Sequence, residues 1–378
     1  MFFLKKKLHI LFLCGWYPSK VLPTNGDFIQ RHAEAVSSKH KVSIFHIISD
    51  KNYKKSIEID VKIINGIETY IAYLKTSKNI FAKPYLYYKA YKLLLSKIGY
   101  FDMIHLNQVF PFGIFCLVTK FFQKRPYIIT EHWTGYLGVT KVNYFHKIVA
   151  KFIIKNASTI STVSNYQAEK MIALGYKGNY VTVGNVVDTK LFAPKKKEET
   201  YLKLIHISSL KDDHKNIKGM LDVAKRLDEK LAYFEWIFIG GDGAKYKNYL
   251  NELQLEKGEV SFLNHQNHSE MVNHLQAATI CISFSNYETF GIVLAESIAC
   301  GTPVIATNTG IAADFNNLNF CKVIPINDKE LLYKSILNHK NIFGNVNIND
   351  MHIFIKHKFS KEVISSKFSF LYKETLKN

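Results

Sequence analysis

Apolar, β-branched runs alternate with helix-forming stretches from one end of the chain to the other, and they do so in two series. Strand-like runs fall at 8–14, 41–48, 101–106, 126–131, 158–163 and 180–184, then at 202–208, 234–240, 258–263, 279–284, 303–307 and 321–325. Apolar strands separated by helices specify parallel sheets covered on both faces. With 378 residues and 47% hydrophobic content, the chain is long enough for two such cores. The polar, Pro-containing stretch Phe192-Ala-Pro-Lys-Lys-Lys-Glu-Glu199 separates the two series and reads as a linker. The expected class is α/β, with two domains of similar architecture.

Lys and Arg outnumber Asp and Glu by 50 to 31, a formal charge of +19. Such an excess points to an anionic partner: a membrane surface, nucleic acid or a phosphorylated substrate. Few of the basic residues are Arg, the side chain suited to bidentate base and phosphate contacts, which argues against nucleic acid. A membrane surface or a lipid diphosphate fits better. The five cysteines, at 14, 116, 281, 300 and 321, form no C-x-x-C pair and no Cys/His cluster with zinc spacing, so they read as core residues of a reducing compartment. Leu8-His-Ile-Leu-Phe-Leu-Cys14 follows three lysines but is short and runs into Gly15-Trp-Tyr-Pro18 without a cleavage site; it reads as the first core strand. No apolar stretch approaches the roughly twenty residues needed to cross a bilayer. The expected location is cytoplasmic, with any membrane contact peripheral, on the inner face of the cell membrane.

The most informative segment is Asn286-Tyr-Glu-Thr-Phe-Gly-Ile-Val-Leu-Ala-Glu-Ser-Ile-Ala-Cys-Gly-Thr-Pro303. It follows the strand-like Thr279–Phe284, and Gly291 to Cys300 is a helix-forming run stopped by Gly301 and Pro303. Strand, turn and helix N-terminus together make an anion site: first-turn N–H groups near Phe290, Gly291 and Ile292 lack intrahelical partners, and Gly291 has no Cβ to hold a phosphate away. Between Gly291 and Cys300 the only ionisable residue is Glu296, set among apolar neighbours, where a carboxylate is costly unless exposed or given hydrogen-bond donors. Ribose hydroxyls would be such donors. The alternative places Glu296 and Ser297 on a solvent face, with Glu288 a turn residue.

This stretch resembles the donor-binding signature of the family-four retaining glycosyltransferases of GT-B fold, with Glu288, Phe290, Gly291, Glu296, Gly301 and Pro303 in pattern. The resemblance covers most of the chain and is most specific from Glu131 to Gly310. It implies two Rossmann-like domains facing across a cleft, residues 1–187 on the acceptor side and 188–359 binding the nucleotide-sugar. The helical tail, with apolar residues at 363, 364, 368, 371 and 372, would cross back to the first domain as residues 360–378. By the same resemblance Glu288 faces the donor sugar and Glu296 the ribose.

Further positions carry the likeness. His132, in Thr130-Glu-His-Trp-Thr-Gly-Tyr136, follows a predicted strand and so lies where open α/β sheets place ligands. It matches the family histidine that approaches the donor sugar; the alternative is a loop histidine paired with Glu131. In His206-Ile-Ser-Ser-Leu-Lys-Asp-Asp-His-Lys-Asn-Ile-Lys-Gly219, Lys215 matches the lysine that neutralises the donor diphosphate, against an ordinary solvated helix-start lysine. The family's arginine is absent, and Ser209 stands at its position; either Lys211 substitutes or the phosphate clamp is weaker. Ile239-Gly-Gly-Asp-Gly243 looks like the family's nucleotide loop and makes Gly241 a candidate contact. Gly26, in Asn25-Gly-Asp27, is the candidate contact of the N-terminal loop. Ser164-Asn-Tyr-Gln167 and Asn185-Val-Val-Asp188 resemble landmarks near the domain junction and the interdomain crossover.

The catalytic candidates are thus His132, Glu288 and Lys215, with Gly26, Ser209, Lys211, Gly241, Phe290, Gly291, Ile292 and Glu296 around the donor. No cofactor and no metal are implied. A metal-dependent transferase of the other common architecture would need an Asp-x-Asp-like pair, and the only Asp pair, Asp212-Asp213, sits beside the presumed phosphate lysine. Lys83–Lys97 mixes aromatics, leucines and lysines and reads as an interfacial membrane helix or as an ordinary amphipathic core helix. The expected activity is retaining transfer of a sugar from a nucleotide-sugar to a glycan or lipid-linked acceptor in surface polysaccharide biosynthesis. Two rivals are a sugar-nucleotide epimerase of the same fold and a non-catalytic partner subunit.

Overall fold

The structure is a computed structural model that describes residues 7–76, 79, 82–196 and 200–377. Residues 1–6 and residues 197–199 of the expected linker lie outside it. The chain divides into two compact units. One holds the chain up to Val163, Ala168–Val186 and the tail from Lys361; the other holds Ser164–Gln167 and Val187–Ser360.

Among the described residues the first unit is built on eight strands: β1 (His9–Cys14), β2 (Lys41–Asp50), β3 (Ile57–Ile64), β4 (Ile67–Lys75), β5 (Met103–Asn107), β6 (Tyr127–Glu131), β7 (Ile160–Thr162) and β8 (Tyr180–Thr182). Their order is β3-β4-β2-β1-β5-β6-β7-β8. β1, β5 and β6 are buried along their whole length, which is why they read as unbroken apolar runs. The hairpin β3–β4 is missing from the sequence expectation and departs from a purely parallel sheet: β3 runs antiparallel to β4 at the edge. Asn65-Gly66 turns it, both residues with positive φ (49° and 78°), the backbone that a two-residue hairpin turn requires. β3 alternates Ile and Val with Glu, Asp and Lys over a half-exposed face, and that pattern lacks the apolar run used to find the other strands.

The tail forms the helix Lys361–Lys377, with Ile364, Phe368, Leu371 and Tyr372 buried. It lies along helix Asp27–Ser37, joined by Ser38–Ser365 (3.0 Å) and His40–Ser369 (2.8 Å) hydrogen bonds, while the Tyr372 hydroxyl meets His105 Nδ1 at 2.8 Å. Helix Ala82–Ile98 buries Ala90, Tyr91, Leu94 and Ile98 in the core of this unit and turns Lys83, Lys89, Lys92 and Lys97 outward.

The second unit has β9 (Leu202–Ser208), β10 (Phe234–Gly240), β11 (Glu259–Asn264), β12 (Ile280–Ser283), β13 (Val304–Thr307) and β14 (Cys321–Ile324). All are parallel, in the order β11-β10-β9-β12-β13-β14. The chain leaves β9 toward β10 on one side, and β12 leads away on the other. The carboxyl ends of β9 and β12 therefore flank a topological switch point, where open sheets leave a crevice. β1 and β5 stand in the same relation in the first unit. The five cysteines are all buried, and none forms a disulfide among the described residues.

Candidate active site

In the second unit the chain after β9 passes Ser209 and Leu210, then forms the short helix Asp212–Lys215. Asn216 takes a left-handed φ of 51°, and its side chain accepts the Gly219 N–H (3.2 Å) to cap helix Ile217–Lys230. The turn after β12 docks onto that short helix: the Asn286 N–H donates to the His214 carbonyl (2.8 Å) and its side-chain amide to the Asp213 carbonyl (3.0 Å). This docking brings the Lys215 ammonium onto the Glu288 carboxylate in an ion pair whose side chains are 17% and 19% exposed. Lys215 is therefore not a solvated helix-start lysine; it closes the short helix and is turned inward. Its backbone N–H donates to the carbonyl of Lys211 (2.7 Å), whose own side chain is exposed.

Two glycines open the space beside this pair. Gly291, with φ +84°, caps helix Ile292–Ala299, and a Cβ there would stand 3.3 Å from Glu288 Cγ and 3.1 Å from Leu294. At Gly310 (φ +54°) a Cβ would stand 2.6 Å from the Phe290 carbonyl, which accepts the Ile311 N–H at 2.9 Å. The Phe290 ring is buried against Phe359, so only its backbone faces the turn. Ile292 is half-buried at the helix start. Helix N-terminus, bare glycine and adjacent ammonium form a surface suited to an anion. Glu296 is 1% exposed and flanked by buried Ala295 and Ser297; the solvent-face alternative does not describe it.

Ser209 and Gly241 meet on the other side of β9. Gly240 has φ +136°, and a Cβ on Gly241 would lie 2.2 Å from the Ser209 carbonyl, so the two loops run backbone to backbone. Ser209 itself is exposed. The second unit thus gathers Ser209, Lys211, Lys215, Gly241, Glu288 and Gly291 around the carboxyl ends of β9, β10 and β12, while Glu296 lies buried one turn into the helix that Gly291 caps.

Gly26 and His132 belong to the first unit. Gly26, at φ +79°, caps helix Asp27–Ser37, and a Cβ there would stand 2.7 Å from the Trp16 backbone. His132 follows β6, packs on Phe28 (ring centroids 4.7 Å) and on His32 (5.7 Å), and is 4% exposed. Its Nε2 is buried without a hydrogen-bond partner among the described residues. Burial, reinforced by the neighbouring His32 and His105, holds its pKa well below the usual imidazole range, so the ring is neutral. The alternative, a pairing with Glu131, occurs through the backbone alone: one Glu131 oxygen accepts the His132 and Trp133 N–H groups (both 2.8 Å), the other the Val109 N–H (2.9 Å). Burial pushes the Glu131 carboxyl up to about 7, against the pull of those three N–H groups.

Glu131 is the residue that sequence reasoning missed as a structural pivot. It ties the loop after β5 to the loop after β6 and lines a cavity of about 430 Å³ walled by Trp16, Phe110, Trp133 and Tyr136, with Gln108 and His146 as polar groups. That volume suits a small ligand. A carboxylate closing an apolar strand, directly before a histidine, is the signal in the sequence.

The family model for glycosyl transferases group 1 matches residues 187–359, and that for glycosyltransferase family 4 matches residues 28–191. An uncharacterized glycosyltransferase of Methanocaldococcus jannaschii is 25% identical over 331 residues, 85% of this chain and 88% of its own. Among solved structures, sucrose-phosphate synthase from Thermosynechococcus elongatus superposes with a TM-score of 0.77 at 17% identity, covering 97% of this chain and 99% of that one. HepE of Anabaena, solved in complex with UDP-glucose, gives 0.70 at 15% identity, covering 97% and 100%. With both halves matched in sequence and the fold shared along the chain, the protein belongs to the family 4 (group 1) glycosyltransferases of GT-B fold.

Proposed function

We propose that the protein transfers a sugar from a nucleotide-sugar to a glycan or lipid-linked acceptor, with retention of anomeric configuration, in the assembly of a surface polysaccharide. The observation that carries this reading is the Lys215–Glu288 pair beside the left-handed Gly291 cap. A nucleoside diphosphate needs cationic and N–H partners, and a reacting sugar needs a carboxylate nearby; both are offered at one switch point. That HepE was solved with UDP-glucose is in keeping with such a donor.

In this reading Lys215 and the first-turn N–H groups of helix Ile292–Ala299 stabilise the charge that develops on the departing diphosphate, so no metal is needed for that step. Lys211 supplements Lys215 where the family arginine is replaced by Ser209. Glu296 accepts from the ribose hydroxyls, and Gly241 lets the nucleotide approach the backbone. Glu288 and His132 contact the sugar, His132 as a neutral donor through its unpartnered Nε2. Gly26 leaves room for phosphate at the N-terminal loop. Front-face attack within an ion pair and a double displacement are both compatible with this set. The protein works in the cytoplasm, at the inner face of an anionic membrane.

Thermal-shift screening against UDP-, GDP- and ADP-sugars tests the donor class, and proton NMR of the transferred linkage tests retention. Stabilisation by one nucleotide series and an axial or equatorial linkage matching the donor are expected. Interconversion of the donor without acceptor would make the protein an epimerase. No response to any nucleotide would favour a non-catalytic subunit.

A further inference from the structure

Helices Gly113–Gln123 and Tyr144–Asn156 of the first unit pack side by side. The contact is close because Gly113 has no side chain: a Cβ there would stand 2.8 Å from Ile153. The Lys120 ammonium also donates to the Asn156 carbonyl (2.7 Å). Each helix buries one face and leaves large apolar groups on the other. On the first, Ile114, Val118, Phe121 and Phe122 follow one helical stripe and are 38–84% exposed. On the second, Tyr144, Phe145, Ile148 and Phe152 do the same at 47–78%. Eight such side chains on two adjoining helices form a patch that a soluble monomer seldom leaves bare.

The charge around the patch identifies what covers it. Neither helix carries an acidic residue. Residues 82–167 hold eleven Lys or Arg and only two acids, Asp102 and the fully buried Glu131. Lys151 and Lys155 extend the stripe of Ile148 and Phe152, and Lys124 follows Phe122; all three are exposed. Aromatic groups bordered by lysines, with no anionic side chain among them, match the boundary between acyl chains and anionic headgroups. A second copy of this chain would instead bring the same lysines against one another.

We propose that this two-helix face seats the protein on an anionic lipid bilayer. The inference rests on the membrane reading above and moves the contact away from helix Ala82–Ile98, which packs Ala90, Tyr91, Leu94 and Ile98 into its own core and exposes only Tyr85, Tyr88 and Leu93 of its large apolar groups. It also gives the cavity a position. Lys141, Val142, Asn143 and His146 form its rim and lead directly into Tyr144 and Phe145. A lipid-linked acceptor held in the membrane would therefore reach the cavity without crossing open solvent.

The test is flotation of the full chain with phosphatidylglycerol–phosphatidylcholine vesicles and with pure phosphatidylcholine vesicles. Wild type is expected to bind the anionic vesicles and to release as salt rises. Phe122→Ser combined with Phe145→Ser should weaken partitioning by roughly tenfold or more, and Lys151→Glu with Lys155→Glu should do so on anionic vesicles. Tyr85→Ser with Tyr88→Ser, on helix Ala82–Ile98, should leave it unchanged. Equal partitioning of the Phe variant and wild type, or loss confined to the Tyr variant, overturns the assignment. So does a wild-type dimer that the Phe variant converts to monomer, with no binding to either vesicle. All arms read docking alone, with a melting curve to confirm folding, so a failure of sugar transfer would leave the result intact.

Discussion

The Lys215 ammonium and the Glu288 carboxylate, 73 residues apart in the chain, form an ion pair with both side chains mostly shielded from water. An ammonium has three donors, and the pair uses one. Glu288 thereby orients Lys215 and compensates its charge.

Removing either partner separates two roles. Lys215→Ala should raise the dissociation constant of the nucleoside diphosphate and lower kcat, because a phosphate contact is lost in both ground and transition states. Glu288→Gln keeps the shape and a hydrogen-bond acceptor, so it should lower kcat far more than it weakens nucleotide binding. Calorimetric binding beside radiolabel transfer distinguishes the outcomes. Wild-type turnover in Glu288→Gln would remove this residue from the reaction.

His132→Ala should likewise cut kcat with little change in affinity for the free nucleoside diphosphate, since the ring is neutral and its Nε2 lacks a partner among the described residues. The variant also leaves a void beside Phe28 and His32, so thermal unfolding must be followed in parallel. His132→Gln, which restores a donor of similar reach, should recover part of the lost rate if donation is the role. Recovery of stability without recovery of rate would count against it.

Glu296→Gln should weaken binding of the nucleoside diphosphate by roughly 1–3 kcal/mol, the scale of a lost charge-assisted hydrogen bond. Nucleotides with deoxyribose should show a smaller difference between variant and wild type. An unchanged dissociation constant would leave Glu296 as a purely internal carboxylate.

Acidification should destabilise the protein below neutral pH. Burial draws the imidazoles of His32, His40, His46 and His206 down to about 4 from an ordinary 6.5, and holds those of His105 and His132 well below that ordinary value too. Between 6.5 and 4 the unfolded chain binds protons that the folded one refuses. Each of these histidines then costs up to about 1.4 kcal/mol per pH unit of acidification. Glu131, raised to about 7, opposes them as a single group, because its folded form keeps a proton that the unfolded form releases. The urea midpoint should therefore fall between pH 6.5 and 4; a midpoint that rose on acidification would contradict the neutral state of the buried imidazoles.

The sequence by itself determined the fold class and the family. Twelve strands were legible because parallel strands buried on both faces appear as uninterrupted apolar runs, as at His9–Cys14 and Phe234–Gly240. The Glu288–Pro303 signature was legible because strand, turn, glycine and helix are consecutive. The β3–β4 hairpin was not, although Asn65-Gly66 marks its turn, because an edge strand with a half-exposed face alternates polar and apolar residues. What only the tertiary structure decided depends on groups distant in the chain. The Lys215–Glu288 contact requires Asn286 to dock on the helix Asp212–Lys215. The burial of Glu296 follows from how its helix packs, since neither a solvent face nor an inward one could be read from its apolar neighbours. The exposed phenylalanines at 121, 122, 145 and 152 resemble core residues in sequence; only the packing of their two helices shows that the core is already filled by Phe115, Cys116, Leu117, Ile153 and Ile154. Local patterns of apolarity decide which elements form, whereas the pairing of charges and the side of a helix left in water depend on contacts that close only when the chain folds.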